Sequence, residues 1–153
     1  MLRLILAWAH LIALGIGLGA VATRGSALRE PPDERSVSRA LAADSLWGIA
    51  AVLWIVTGLW RLLAGTEKAT RYYLHNQAFM TKMTLLAIIL ALEIWPMATL
   101  IHWRIERGRK VFDVSRHARN ARRIAINSFV QAALVAAMVW FAVAMARGYG
   151  ARA

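Results

Sequence analysis

The chain has 153 residues, of which 59% are hydrophobic, with a formal net charge of +11 and no cysteine, and its mean hydropathy is +0.50. Disulfides and thiolate metal sites are thereby excluded. The apolar residues fall in four runs of about 20, the length needed to cross a hydrocarbon core of roughly 30 Å, and the basic excess lies in the connections beside them. That distribution suits topology and lipid headgroups rather than nucleic acid.

The first run, about residues 4–23, is longer than the 7 to 15 residues of a secretory leader, so a retained span is expected. It carries Gly15, Gly17 and Gly19, and the Gly15–Gly19 pair is a GxxxG pattern that lets another helix approach closely. His10 is the one histidine inside a span, and Leu14, Gly17, Val21 and Arg24 share its face. In the first connection Pro31 and Pro32 precede Asp33 and Glu34, which predicts a helix that begins before the membrane and runs into span 2, about 40–63. Span 2 holds Asp44, with Gly48, Ala51 and Gly58 on its face.

In the second connection Gly65 is expected to end span 2, Thr66 to cap a short helix, Tyr72 and Tyr73 to lie in the headgroup layer, and Asn76 to cap span 3. Span 3, about 79–101, contains Lys82, Glu93 and Pro96. Lys82 and Glu93 are eleven positions apart, which at 100° per residue returns to within about 20° of one face. A charge at mid-bilayer costs between about 2.5 and 10 kcal/mol or more, so this stripe is expected to face protein or water. Pro96 lacks an amide hydrogen and deprives the Leu92 carbonyl of its helical partner. Gly108 is expected to mark a break, and Asp113 or Ser115 to cap a helix continuing into span 4, about 124–145, where Asn127 and Gln131 share a face. Trp54 and Trp95 are assigned to packing, and tryptophans at span ends to the interfacial belts.

Arg24–Arg39 and Arg104–Arg123 hold four and eight basic residues, against six elsewhere outside the spans (Arg3, Arg61, Lys68, Arg71, Arg147, Arg152). Positive charge favours the cytoplasm, so both termini are expected to lie outside it. The expected architecture is an all-α, four-helix transmembrane bundle, a single domain over 1–153, with helices extended on the cytoplasmic side.

At common depth the polar groups sort into two layers. His10, Lys82 and Gly58 belong to an outer one. In the inner layer Arg24, Asp44 and Asn127 lie near the cytoplasmic ends, with Glu93 and Gln131 about 10 to 12 Å deeper by helical rise. Two readings of the inner layer stand side by side. In one, Arg24 pairs with Asp44 while Glu93 hydrogen-bonds Gln131, fixing helix register. In the other, Glu93 and Asp44 serve a proton or cation path. In the outer layer, His10 supplies an axial bond to haem iron, with Lys82 as a second ligand if neutral, or else His10 bonds a neighbouring helix while Lys82 snorkels outward. His75, His102 and His117 show no metal-binding spacing.

The strings HLIALGIGLGAVATRGSAL (His10–Leu28), LAADSLWGIAAVLWIVTGLWR (Leu41–Arg61) and LEIWPMATLI (Leu92–Ile101), with the segment around Lys82 and Met83, resemble an uncharacterised bacterial family of predicted four-helix membrane proteins. Span 1 with its early histidine, and the lysine opening span 3, are also similar to the membrane protoporphyrinogen oxidases that bind haem b. That similarity implies haem b as a cofactor. The oxidases also rely on a lysine in their second span, and span 2 here has none.

The sequence contains no nucleophile-and-base arrangement, phosphate loop or dinucleotide fingerprint. It therefore suggests a non-catalytic subunit or scaffold in the lipid bilayer, as a homo-oligomer or part of a larger complex of respiratory or photosynthetic type. A haem-linked redox protein using His10 and a proton-coupled carrier using Glu93 and Asp44 are the alternatives.

Overall fold

The computed structural model describes residues 1–63 and 76–149, so the expectations for Gly65, Thr66, Tyr72, Tyr73 and His75 lie outside the described residues. Four helices follow one another: α1 (Leu2–Ala27), α2 (Glu34–Leu63), α3 (Gln77–Gly108) and α4 (Val114–Ala146). Each is long and apolar enough to cross a membrane. At 1.5 Å per residue α3 and α4 are about 48 and 50 Å long, against roughly 30 Å for a bilayer core. The end of the bundle that holds the first and third connections is here called the basic end.

Side-chain acceptors set where α2, α3 and α4 start. Asp33 and Ser36 cap α2 reciprocally, the Ser36 amide donating to Asp33 Oδ1 (2.6 Å) and the Asp33 amide to Ser36 Oγ (2.9 Å). Pro31 and Pro32 therefore precede the cap instead of occupying the first turn. Asn76 Oδ1 accepts from the Phe79 amide (3.2 Å) and Asp113 Oδ1 from the Ser115 amide (3.0 Å), opening α3 and α4. The break after α3 is made differently from expectation. Gly108 is the last helical residue, and the left-handed turn that follows is made by Lys110 (φ 58°).

Around the bundle the order is α2, α1, α4, α3. Helix α1 packs along α2 and against α4, α4 packs against α3, and α3 meets α2 only sparsely. Two apolar clusters fill the interior. At the basic end Leu28, Val37, Leu100, Trp103 and Ile124 pack together, and in the other half Val21, Trp47, Trp54, Ile89, Val135 and Met138 do so. The outer surface is apolar as well, with Leu4, Leu11, Val52, Ile94 and Trp140 exposed, as a lipid-facing surface requires.

Several expected packing roles change. Trp95 is 42% exposed and faces outward, whereas Trp103, at a span end, is wholly buried because it packs with Leu100, Ala121 and Ile124 between α3 and α4. Gly15, Gly19 and Gly48 are exposed, and a Cβ at any of them would meet nothing within 4 Å, so the GxxxG pair makes no helix contact within the bundle. Gly17 makes that close approach, since a Cβ there would lie 3.1 Å from the Trp47 ring. It is two positions from Gly15 and from Gly19, or about 200° around the helix. The face set by His10, Gly17 and Arg24 turns the other two glycines outward.

Candidate functional site

Between the two apolar clusters lies a polar layer to which every helix contributes. Arg24, 0% exposed in the last turn of α1, is its centre. Nε donates to Ser128 Oγ (3.0 Å). Nη1 donates to Asp44 Oδ1 (2.9 Å) and Glu93 Oε1 (2.6 Å), and Nη2 to Glu93 Oε2 (2.8 Å) and Gln131 Oε1 (2.7 Å). A guanidinium has five N–H donors, and all five are used. The contact with Glu93 is bidentate, the geometry in which arginine and carboxylate bind most strongly.

The carboxylates are held from further sides. Gln131 Nε2 donates to Glu93 Oε2 (2.7 Å) and to the Ile89 carbonyl (3.2 Å). Arg104 Nη2 donates to Asp44 Oδ2 (2.9 Å), to the Leu41 carbonyl (2.7 Å) and to Ser45 Oγ (3.0 Å). Two arginines thus face two carboxylates, and their formal charges balance. Arg24, Asp44, Glu93 and Gln131, expected at two depths, form one cluster because the long arginine side chain bridges the offset along the helices. Neither Arg104 nor Ser128 stood out in the sequence. Arg104 reads as one more topogenic charge after span 3, and Ser128 as a small residue in an apolar run.

Asn127 acts beside this cluster rather than in it. Its Nδ2 donates to the Leu92 carbonyl (2.8 Å), the group that Pro96 leaves without a helical donor. The proline defect in α3 is thus repaired by a side chain from α4. Among the described residues one buried side-chain polar atom has no hydrogen-bond partner, Trp103 Nε1.

Toward the opposite end, called the open end below, His10 is held by α2. Trp54 Nε1 donates to His10 Nε2 (3.0 Å), so Nε2 is an acceptor and the proton lies on Nδ1, which is 3.1 Å from the Trp54 carbonyl and 3.0 Å from Thr57 Oγ1. Axial ligation of haem iron through Nε2 requires that the indole let go. Gly58 lies against the ring, and a Cβ there would come within 3.1 Å of His10 Cε1. Lys82 lines the same cavities as His10, so the structure brings this pair together at one end while Glu93 lies in the Arg24 cluster.

At the basic end Glu106 accepts from His117 Nε2 (2.7 Å) and pairs with His102 Nε2 (3.2 Å), and the His117 ring stacks on Phe112 at 5.0 Å. Among the described residues no group of three or more His, Cys, Asp or Glu is arranged to hold a metal ion.

No curated protein and no solved structure matches the chain. A family model does, over residues 2–150, nearly the full length. Taken with four apolar helices, an apolar exterior and a charged layer sealed inside, that match assigns the chain to DUF2214, a family of predicted membrane proteins.

Proposed function

We propose that the chain is a non-catalytic membrane component, a subunit or scaffold that works as a homo-oligomer or within a larger membrane complex. We place it in a bacterial inner membrane with both termini periplasmic. The observation that supports this reading most is that its buried charges are engaged with one another, since Arg24 uses all five donors and binds both oxygens of Glu93. An acid in a carrier must exchange partners or protons during the cycle, whereas here the acids join four helices at one level. Such a layer fixes the register of a bundle and leaves its exterior to lipid and neighbours.

The test pairs flux with assembly. Wild-type protein and Glu93→Gln are reconstituted in liposomes containing a pH-sensitive dye, and the native membranes are cross-linked and sized. The expected results are no proton flux above empty liposomes, a less stable Glu93→Gln, and migration in an assembly larger than the 17.0 kDa chain. Flux that Glu93→Gln abolishes at unchanged stability would establish the carrier instead. A Soret band removed by His10→Ala would establish the haem reading, and migration as a monomer would end the subunit one.

A further inference from the structure

At the basic end an open slot of about 530 Å³ lies between the α1–α2 connection and α4. Arg29, Glu30 and Pro31 line it from the connection, and Arg122, Ile126 and Phe129 from α4. Its volume is within the roughly 300–1,000 Å³ of small-molecule sites. The space exists because the sequence puts alanine at 118 and 125, each about one helical turn from Arg122, where a longer side chain would fill it. Its inner wall is fixed by Gly25 of α1, where a Cβ would come within 3.2 Å of the Phe129 ring, so that ring sits directly on the α1 backbone.

The slot has an apolar end and a cationic one. Ile126 (58% exposed) and Phe129 (41%) look outward on α4, and Arg122, also exposed, follows Ile126 within about one turn on the same side. A helix face that passes from apolar to cationic in one turn has the character of a bilayer boundary, with hydrocarbon on one side and headgroups on the other.

The charges of the lining are not spent elsewhere. Arg29 and Arg122 are exposed and form no ion pair among the described residues, whereas the acids nearby are engaged, Glu34 by Arg107, Asp113 by Arg116 and Glu106 by His117. Glu30 is the one acid in the lining, and it too is exposed and in no ion pair among the described residues. The slot thus holds two positive charges and one negative. Residues 29–39 and 104–123 together hold eleven basic residues against five acidic ones, so the wider field at this end has the same sign as the surplus.

We propose that this slot binds one anionic phospholipid, its phosphodiester at Arg29 and Arg122 and an acyl chain along Ile126 and Phe129. A guanidinium fork matches a phosphate, and a singly charged phosphodiester balances the one surplus charge. A choline headgroup brings a cation that undoes that balance, and a free anion has no use for the exposed apolar half. The inference needs only that the chain lies in a bilayer, and it is independent of the subunit reading.

The full chain, purified in detergent, is titrated with phosphatidylglycerol and with phosphatidylcholine of the same acyl chains under native mass spectrometry. Phosphatidylglycerol should bind saturably at one site, roughly tenfold or more tighter than phosphatidylcholine, as charge-assisted contacts predict. Arg29→Gln and Arg122→Gln should each lower that affinity roughly tenfold. Arg109→Gln removes the same charge from the same end but outside the slot, and screening should keep its effect below about threefold. Ala118→Phe, which fills the slot without changing its charge, should abolish saturable binding. All four positions are exposed; each variant is compared only if it elutes and unfolds like wild type, and the wild-type selectivity decides the case without them. Equal affinity for the two lipids, unsaturable uptake, or an Arg109→Gln loss as large as that of Arg122→Gln overturns the proposal. Displacement of the lipid by inorganic phosphate, beyond a chloride control of equal ionic strength, also overturns it and marks a free-anion site instead.

Discussion

Replacing Arg24 with methionine keeps the bulk of the side chain and removes all five donors at the point where four helices meet. At the average of ~0.6 kcal/mol for an interhelical hydrogen bond in a membrane protein, five bonds come to about 3 kcal/mol. Breaking a buried pair by deleting one partner costs about 3–5 kcal/mol, because a charge is left uncompensated. The two routes agree on a loss of about 3–5 kcal/mol for Arg24→Met. The charge left over is Glu93, since Asp44 keeps Arg104. Adding Glu93→Met should therefore cost less than the two single changes together, with a coupling of at least about 1 kcal/mol. Arg24→Lys should recover little, because one ammonium with three donors cannot reach partners on α2, α3 and α4 at once. The assay is unfolding in mixed micelles titrated with dodecyl sulfate, followed by the fluorescence of the buried Trp47, Trp54 and Trp103. An Arg24→Met loss below about 1 kcal/mol, or a double variant that is simply additive, would refute the claim that this layer fixes the bundle.

Asn127→Leu should cost about 1–3 kcal/mol by orphaning the Leu92 carbonyl. The same change in a Pro96→Ala background should cost less, since alanine restores the amide that serves that carbonyl; equal costs in both backgrounds would disprove the repair. Gly17→Ala should destabilise by roughly 1 kcal/mol as its Cβ presses on Trp47, while Gly15→Ala and Gly19→Ala should be neutral or stabilising by up to about 1 kcal/mol. The reverse ranking in the same titration would mean that the wrong face of α1 has been assigned to the bundle. Outside the spans, Asp33 is held below its ordinary value of 3.8 by the Ser36 amide and then its hydroxyl, and Asp113 by the Ser115 hydroxyl and then its amide. A depressed carboxyl stabilises the fold fully above its ordinary value and loses that contribution as pH falls through the lowered one. Hydrogen exchange at the first turns of α2 and α4 should therefore accelerate below about pH 4 in wild type, with a smaller change in Asp33→Ala and Asp113→Ala; an equal acceleration would exclude the caps as its cause.

The sequence shows the number of helices, the caps that open α3 and α4 and the inward face of α1 because each rests on local chemistry. A run of about 20 apolar residues has few uses other than a span. Asn76 and Asp113 stand where orphan amides need an acceptor, and the seven-residue steps from His10 to Gly17 and from Gly17 to Arg24 return to one side of a helix. The Arg24–Asp44 pair and the Glu93–Gln131 hydrogen bond follow from the cost of leaving those groups in lipid. Arg104 was hidden because a charge just past a span normally serves topology, and only the contact between α3 and α2 shows that it reaches Asp44. Trp95 and Trp103 exchanged their expected roles for a related reason. Depth along one helix is legible in a sequence, but which side of it meets a neighbour is decided by helices far away in the chain. The Gly15–Gly19 pattern states that a surface is smooth, not that another helix lies on it.

Arg24 clamps the four helices at one level, while α2 and α3 stand apart at the other end. A rod pinned near one end is a lever. From Arg24 to His10 is about 21 Å along α1 at 1.5 Å per residue, so a rocking of about 5° around the pinned layer moves the far end by roughly 2 Å. That is about the radius of a methylene group. A small rotation of α1 at that layer would thus widen or narrow the cavities that His10 and Lys82 line.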